Sequence, residues 1–238
     1  MKAFLLAAGR GARLRPFTDR LPKCLVTVDG RPLLFHWLQT LTDAGVSEVL
    51  VNTHYLPFLV EAAVASWRGS LTIRLAHEHQ LLGSGGTLVA NRRFVEHEHD
   101  FFVIDADNLT NVTLEPLLEA HRQADVTFTT YTCDASRPQP GGLRPLDQQS
   151  DRVDGFDAPS SNTGSNVVSR GIAVARHDIF EYLPPRSPLD LAQHVMPCLV
   201  GRMQLVRTTA YVRNIGSLAD YYAAQAEWRR TRPQVLAR

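Results

Sequence analysis

Lysine is nearly absent from this chain. Of its 25 basic residues only Lys2 and Lys23 are lysine, and the other twenty-three are arginine. Positive charge is thus made with guanidinium almost everywhere, and Lys23 stands out within LLAAGRGARLRPFTDRLPKCLVTVDGRPLL. An ammonium is a compact charge on a flexible stem, suited to a phosphate in a crowded pocket. Cysteine is also scarce: Cys24, Cys133 and Cys198 are odd in number, far apart and outside any C-x-x-C pattern. They argue against a disulfide framework or a cysteine zinc site and fit reduced thiols. Neither sign of charge dominates; the formal net charge is +1, which gives no footprint for nucleic acid or an anionic membrane. Long apolar runs are missing as well. MKAFLLAAGRGARLR is apolar for only about six residues, too short for a spanning helix or a signal peptide. A cytoplasmic protein is the expectation.

What is present is the composition of a globular domain, 44% hydrophobic and 21% charged. Short buried strands are predicted over 2–8, 49–52 and 101–104, and further strands over 71–76, 126–131 and 171–175. Between and after them, helical patterns cover 33–44, 58–66, 114–123, 189–200 and 218–230. Two short strands or one bent one fall over 205–213. This alternation predicts an α/β fold, with helices on both faces of the sheet and ligands at the strands' carboxyl ends. The stretch 134–165, rich in Pro, Gly, Ser, Asn and Asp, reads as an insertion over the substrate side. The whole chain, 1–238, is expected to be one domain, with a nucleotide-binding half over 1–130 and an acceptor-binding half over 131–238.

The chemistry begins after the first strand. Gly9 and Gly11 let backbone approach a phosphate, and successive N–H groups there can form an anion nest. A dinucleotide fingerprint needs a third glycine where Leu14 stands, and the Walker pattern is absent. What remains is a third kind of phosphate loop, in which Gly9-x-Gly11-x-Arg13-Leu14-x-Pro16-x-Thr18 leads on to Pro22-Lys23. The other signals are weaker. His77/His79 and the run Glu96-His97-Glu98-His99 lack a third ligand at zinc-like spacing. Ser84 is not in a G-x-S-x-G elbow.

The phosphate-loop string resembles the signature of the sugar-1-phosphate nucleotidylyltransferases, the nucleoside-diphosphate-sugar pyrophosphorylases. LLGSGGTL at 81–88, VIDADN at 103–108 and NIGSLADYYAAQ at 214–225 agree with it in order. The details look closest to guanylyltransferases acting on mannose-1-phosphate or heptose-1-phosphate. The resemblance implies a Rossmann-like, mostly parallel mixed sheet of the glycosyltransferase-A kind. It also implies Mg²⁺-dependent condensation of an NTP, GTP by likeness, with a sugar-1-phosphate, releasing pyrophosphate. Arg13 and Lys23 would be catalytic. Leu6, Ala7, Ala8, Gly9, Gly11, Gly83, Ser84, Gly85 and Gly86 would bind the nucleotide. Asp107, ending its strand, would hold the metal together with Asn214, and Asp105, Asp157, Arg170 and Gly171 would meet the acceptor.

The departures from the family pattern concentrate in the acceptor half. Asn214 stands where the family usually has a second metal-binding aspartate. Asp105, two residues before Asp107, points the same way in an extended segment and can offset the lost charge; the alternative is a solvated carboxylate. The family's phenylalanine–glutamate–lysine–proline reads Phe156-Asp157-Ala158-Pro159, and its asparagine–alanine–glycine reads Ser169-Arg170-Gly171. Arg170 can therefore restore the missing positive charge, or it is one more surface arginine. An unusual acceptor, such as a modified heptose or a cyclitol phosphate, follows from this pattern. Two alternatives stand beside it: a choline-phosphate-type cytidylyltransferase, or a non-catalytic paralogue that binds nucleotide sugar and regulates a partner. The sequence leaves a homo-oligomer open.

Overall fold

The structure is a computed structural model and describes residues 1–134, 143–145, 151–156 and 166–231. Its strands are β1 (Lys2–Leu6), β2 (Thr27–Val28), β3 (Arg31–Pro32), β4 (Glu48–Thr53), β5 (Thr72–His77), β6 (Asp100–Asp105) and β7 (Asn108–Thr110). They continue with β8 (Phe128–Asp134), β9 (Leu143–Pro145), β10 (Val153–Phe156), β11 (Val167–Arg176), β12 (Met203–Arg207) and β13 (Val212–Asn214). The helices are α1 (Leu33–Asp43), α2 (Pro57–Ala65), α3 (Ser84–Ala90), α4 (Glu115–Ala124) and α5 (Leu218–Thr231).

A seven-stranded sheet in the order β12-β8-β11-β6-β1-β4-β5 forms the frame. Neighbouring strands pair in parallel except where β11 runs antiparallel between β6 and β8. The central strands β1 and β6 are apolar on both sides because both faces are covered. On one face Ala3, Leu5, Phe102 and Ile104 join Trp37, Leu38 and Leu41 of α1, Val60 of α2 and Leu117 of α4. On the other, Phe4, Phe101 and Val103 meet Leu88 of α3 and the segment that carries Leu191, Val195 and Leu199. Alternation along β1 and β6 thus sends successive side chains into two cores. A third cluster, with Leu14, Val28, Leu109, Ile215 and Trp228, seats α5 against the phosphate-loop side. From β1 the chain winds outward to β4 and β5, then crosses back to β6 on β1's other flank. That reversal opens a crevice at the carboxyl ends of β1 and β6.

The mixed, mostly parallel sheet is as expected, but several boundaries are not. β1 stops at Leu6 and not Ala8, because the Ala7 N–H leaves the ladder for Asn52 Oδ1 at 2.6 Å. β6 ends at Asp105, so Asp107 lies in the turn to β7 and not at a strand end. Residues 189–200 do not form one α-helix. A π turn over Leu191–Val195 gives way to a 3-10 turn over Met196–Leu199, because Pro197 has no N–H and crowds the preceding turn. Gly85 and Gly86 lie in the first turn of α3, a helix outside the five helical patterns read from the sequence. Of the 134–165 insertion, the β9–β10 pair is described. No helix among the described residues is long and apolar enough to cross a membrane.

Candidate active site

A cavity of about 470 Å³ occupies the crevice, within the usual size range for small-molecule sites. The loop after β1 forms one wall. Gly11 takes φ +64°, and a Cβ there would come within 2.9 Å of Thr18 Cγ2 and 3.1 Å of Lys23 Cβ. Glycine at 11 therefore lets the lysine stem pack under the loop. Thr18 Oγ1 donates to the Gly11 carbonyl at 2.8 Å and fixes the turn from beneath. The Lys23 ammonium emerges into the cavity and forms an ion pair with Asp107 Oδ2.

Asp107 is held from the far side of the chain as well. β7 and β13 pair antiparallel with Asn108 opposite Asn214, and the Ile215 N–H donates to the Asp107 carbonyl at 2.8 Å. Asn214 Nδ2 donates to Asp107 Oδ1 at 2.8 Å. Residues more than a hundred positions apart thus meet. Asp105 faces the same cavity. Burial first, and then the charges of Asp107 and Asp190, push the pKa of its carboxyl up to about 8, with Lys23 opposing. Gly171, at φ +63°, leaves room for it: a Cβ there would sit 2.1 Å from Asp105 Oδ2.

Leu6, Ala7, Gly9, Gly11, Arg13, Lys23, Ser84, Asp105, Asp107 and Gly171 all line the cavity. Ala8 is buried beside the loop. Gly83, Gly85 and Gly86 are absent from the lining, because Leu189 fills their space. The N–H groups of Gly85 and Gly86 donate to the Leu189 carbonyl at 2.9 and 3.0 Å, and a Cβ at Gly83 would strike that oxygen at 2.4 Å. Arg170 and Asn214 line a second pocket next to the first. Asp157 lies outside the described residues, as do Ala158 and Pro159.

Sequence reasoning missed two features. The first is the 190–196 wall, where Asp190, Leu191, Ala192 and Met196 close the cavity opposite the phosphate loop. Asp190 Oδ1 accepts the Gln193 N–H at 2.8 Å, and an acid three residues before glutamine is a readable capping signal. The second is a buried polar network under the loop. Glu78 accepts from Asn52 Nδ2 at 2.9 Å, Thr87 Oγ1 at 2.5 Å and the Leu82 N–H at 3.1 Å. Through Asn52 it positions Ala7, the first loop residue. Glu78 in AHEHQ reads as a solvated acid, so only the fold reveals it.

The donor set around Asp107 is one carboxylate and one amide, both hard oxygen ligands. Mg²⁺ needs no more than one or two protein carboxylates beside substrate phosphates and water, so these residues fit it. Among the described residues no cluster of three or more His, Cys, Asp or Glu side chains could hold a metal ion alone.

The nucleotidyl transferase family profile matches residues 2–231 of the chain. Mannose-1-phosphate guanyltransferase beta-B of Xenopus laevis is 26% identical over 226 residues, covering 93% of this chain and 62% of its own length. The mannose-1-phosphate guanylyltransferase of Mycobacterium tuberculosis is 26% identical over 94% of this chain and 64% of its own length. The chain therefore spans less than two thirds of these curated relatives. HddC from Yersinia pseudotuberculosis, crystallised with GMP-PN, superposes with a TM-score of 0.78 at 21% identity, covering 95% of this chain and 99% of that one. That likeness shows the shared fold.

Proposed function

The chain belongs to the nucleotidyl transferase family, and from that premise we propose that it is one nucleotidyltransferase domain of the cytoplasm making a nucleoside-diphosphate sugar. The donor is an NTP, with GTP favoured. The acceptor is a sugar-1-phosphate, or a sugar-like heptose or cyclitol phosphate. An acceptor phosphate oxygen attacks the α-phosphorus, a new P–O bond forms, the α–β bridge breaks and pyrophosphate leaves. The observation that carries this reading is the Lys23–Asp107 ion pair in the crevice, with Asn214 bonded to the second carboxylate oxygen.

In this reading Gly9, Gly11 and Arg13 receive the triphosphate. Lys23 exchanges its bond to Asp107 for the α-phosphate, whose charge grows as the bond breaks. Asp107 and Asn214 would hold Mg²⁺, which would supply charge neutralisation on phosphate oxygens when bound. Such transfers are accelerated mainly by alignment and charge stabilisation, which this cavity's cations and rigid loop can provide. Asp105 and Gly171 face the acceptor, and the carboxyl groups of Asp105 and Asp190, which line the same cavity, suit a ligand rich in hydroxyls. Phe128 is the one aromatic in the described lining, too little to cage a quaternary ammonium as a choline-phosphate enzyme would. The amide of Asn214 favours a second reading, a non-catalytic paralogue that binds nucleotide sugar. Pyrophosphate release with an NTP panel, Mg²⁺ and candidate sugar phosphates separates the two. Turnover supports the enzyme; nucleotide-sugar binding with no turnover on any pair selects the regulator.

A further inference from the structure

The cavity wall opposite the phosphate loop is clasped to the start of α3 through backbone. The Leu189 N–H donates to the Leu82 carbonyl at 2.8 Å, and the Leu189 carbonyl accepts the N–H groups of Gly85 and Gly86. Ser84 Oγ accepts the Leu191 N–H at 2.7 Å. Asp190 is thereby fixed between two anchored neighbours, and its own N–H donates to His194 Nδ1 at 2.9 Å. The two oxygens of its side chain are not equivalent. Oδ1 caps the next turn by accepting the Gln193 N–H at 2.8 Å. Oδ2 is approached by Ser84 Oγ only at 3.5 Å, which is long for a hydroxyl bond. Among the described residues Asp190 forms no ion pair. One carboxyl oxygen is therefore held in place at the cavity with its accepting capacity unspent.

Its surroundings decide what it can receive. The cavity's cations, Arg13 and Lys23, stand on the other side, in the phosphate loop. Here the charge of Asp190 is felt at Asp105, so a phosphate at this wall would meet two acidic groups and no cation. A neutral hydroxyl is the better match. Leu191, Ala192 and Met196 complete the wall with apolar side chains, which accept no hydrogen bond. A hydroxyl turned toward them is left unsatisfied unless it reaches Asp190, and a bond to a charged oxygen is among the stronger kind. A site of this type discriminates by the presence of one hydroxyl more sharply than an apolar pocket does by size.

We propose that Asp190 sets acceptor specificity: its Oδ2 accepts one ring hydroxyl of the acceptor, and a ring without that hydroxyl is rejected. The inference rests on the nucleotidyl-transfer reading above and adds to it a residue that belongs to none of the motifs read from the sequence. The donor's ribose also carries hydroxyls; the closeness of Asp190 to Asp105, which faces the acceptor, favours the acceptor ring.

The test uses Asp190→Asn, which can keep the Gln193 cap with its amide oxygen while an NH₂ replaces the accepting Oδ2. Fold is checked by circular dichroism and thermal melting. With the fastest of GTP, CTP, UTP and dTTP, rates are measured on the 1-phosphates of mannose, glucose, a heptose and inositol. The monodeoxy forms of the best acceptor follow. In the wild type one monodeoxy form loses at least about tenfold in kcat/KM, the loss expected for one charge-assisted bond. In Asp190→Asn the parent acceptor falls by a similar factor, that deoxy form falls no further, and the NTP KM stays within about twofold. The same deoxy penalties in both proteins overturn the assignment. So does a variant that instead loses discrimination against a 2′- or 3′-deoxy NTP, which places Oδ2 on the donor's ribose. Should Asp190→Asn not fold, Asp190→Ser, which also keeps a capping oxygen, takes its place with the same outcomes. Turnover on none of the four acceptors fells the enzyme reading and this inference with it; turnover without a penalty that depends on Asp190 fells this inference alone.

Discussion

Removing the Glu78 carboxylate tests whether the phosphate loop is held from below. Glu78 is only 5% exposed and accepts three hydrogen bonds, from Asn52, Thr87 and the Leu82 N–H. In Glu78→Ala the donors do not suffer equally. Thr87 Oγ1 can turn fully to the Gly83 carbonyl at 3.2 Å, and Asn52 Nδ2 keeps its bond to Thr87 Oγ1 at 3.0 Å. The Leu82 N–H has no second acceptor among the described residues. Losing charge-assisted bonds and leaving one part-buried donor unpaired should cost about 2–4 kcal/mol. Glu78→Gln keeps one carbonyl oxygen and sets a donor against a donor at one position, for about 1–2 kcal/mol. Urea unfolding measures both, and the NTP KM should rise in step because Asn52 Oδ1 anchors the Ala7 N–H. If Glu78→Ala unfolds within about 0.5 kcal/mol of wild type, or if both variants cost the same, the network does not hold the loop as described.

Two further residues give testable outcomes. Gly171→Ala should lose about 1–2 kcal/mol from its positive φ and also weaken acceptor binding, since the new Cβ would displace Asp105; a neutral variant in melting and kinetics would refute the close packing. His121 is buried, and burial lowers its pKa from 6.5 despite Asp100 beside it. The unfolded chain then binds the extra proton more readily, so stability is present above pH 6.5 and is lost as pH falls through the lowered folded value. His121→Gln should flatten that acid limb of a melting-temperature profile, and an unchanged slope would count against it.

The sheet was largely legible because β1, β4 and β6 are short apolar runs ended by polar loops, a pattern set by burial on both faces. Their exact ends were not, because a single side chain such as Asn52 can pull Ala7 out of the ladder. Residues 189–200 read as an α-helix on apolar spacing alone, and Pro197 broke that pattern into tighter and wider turns. In the site, Gly11, Lys23 and Asp107 were readable because their residue types answer local needs for a tight turn, a point charge and a carboxylate. Arg170 was open between two meanings, since sequence does not say which side of a bulged strand a residue faces. Glu78 was hidden because two of its partners, Asn52 and Thr87, lie 26 and 9 positions away, and only packing brings them together.

The central claim is that the Lys23 ammonium stabilises the phosphorus under attack. Steady-state and single-turnover rates of Lys23→Ala, on a protein shown to be folded, test it most directly. A kcat about 10²–10³-fold lower is expected, the usual consequence of removing one transition-state donor, with NTP still bound. Nucleotide-sugar formation at the wild-type rate would contradict it.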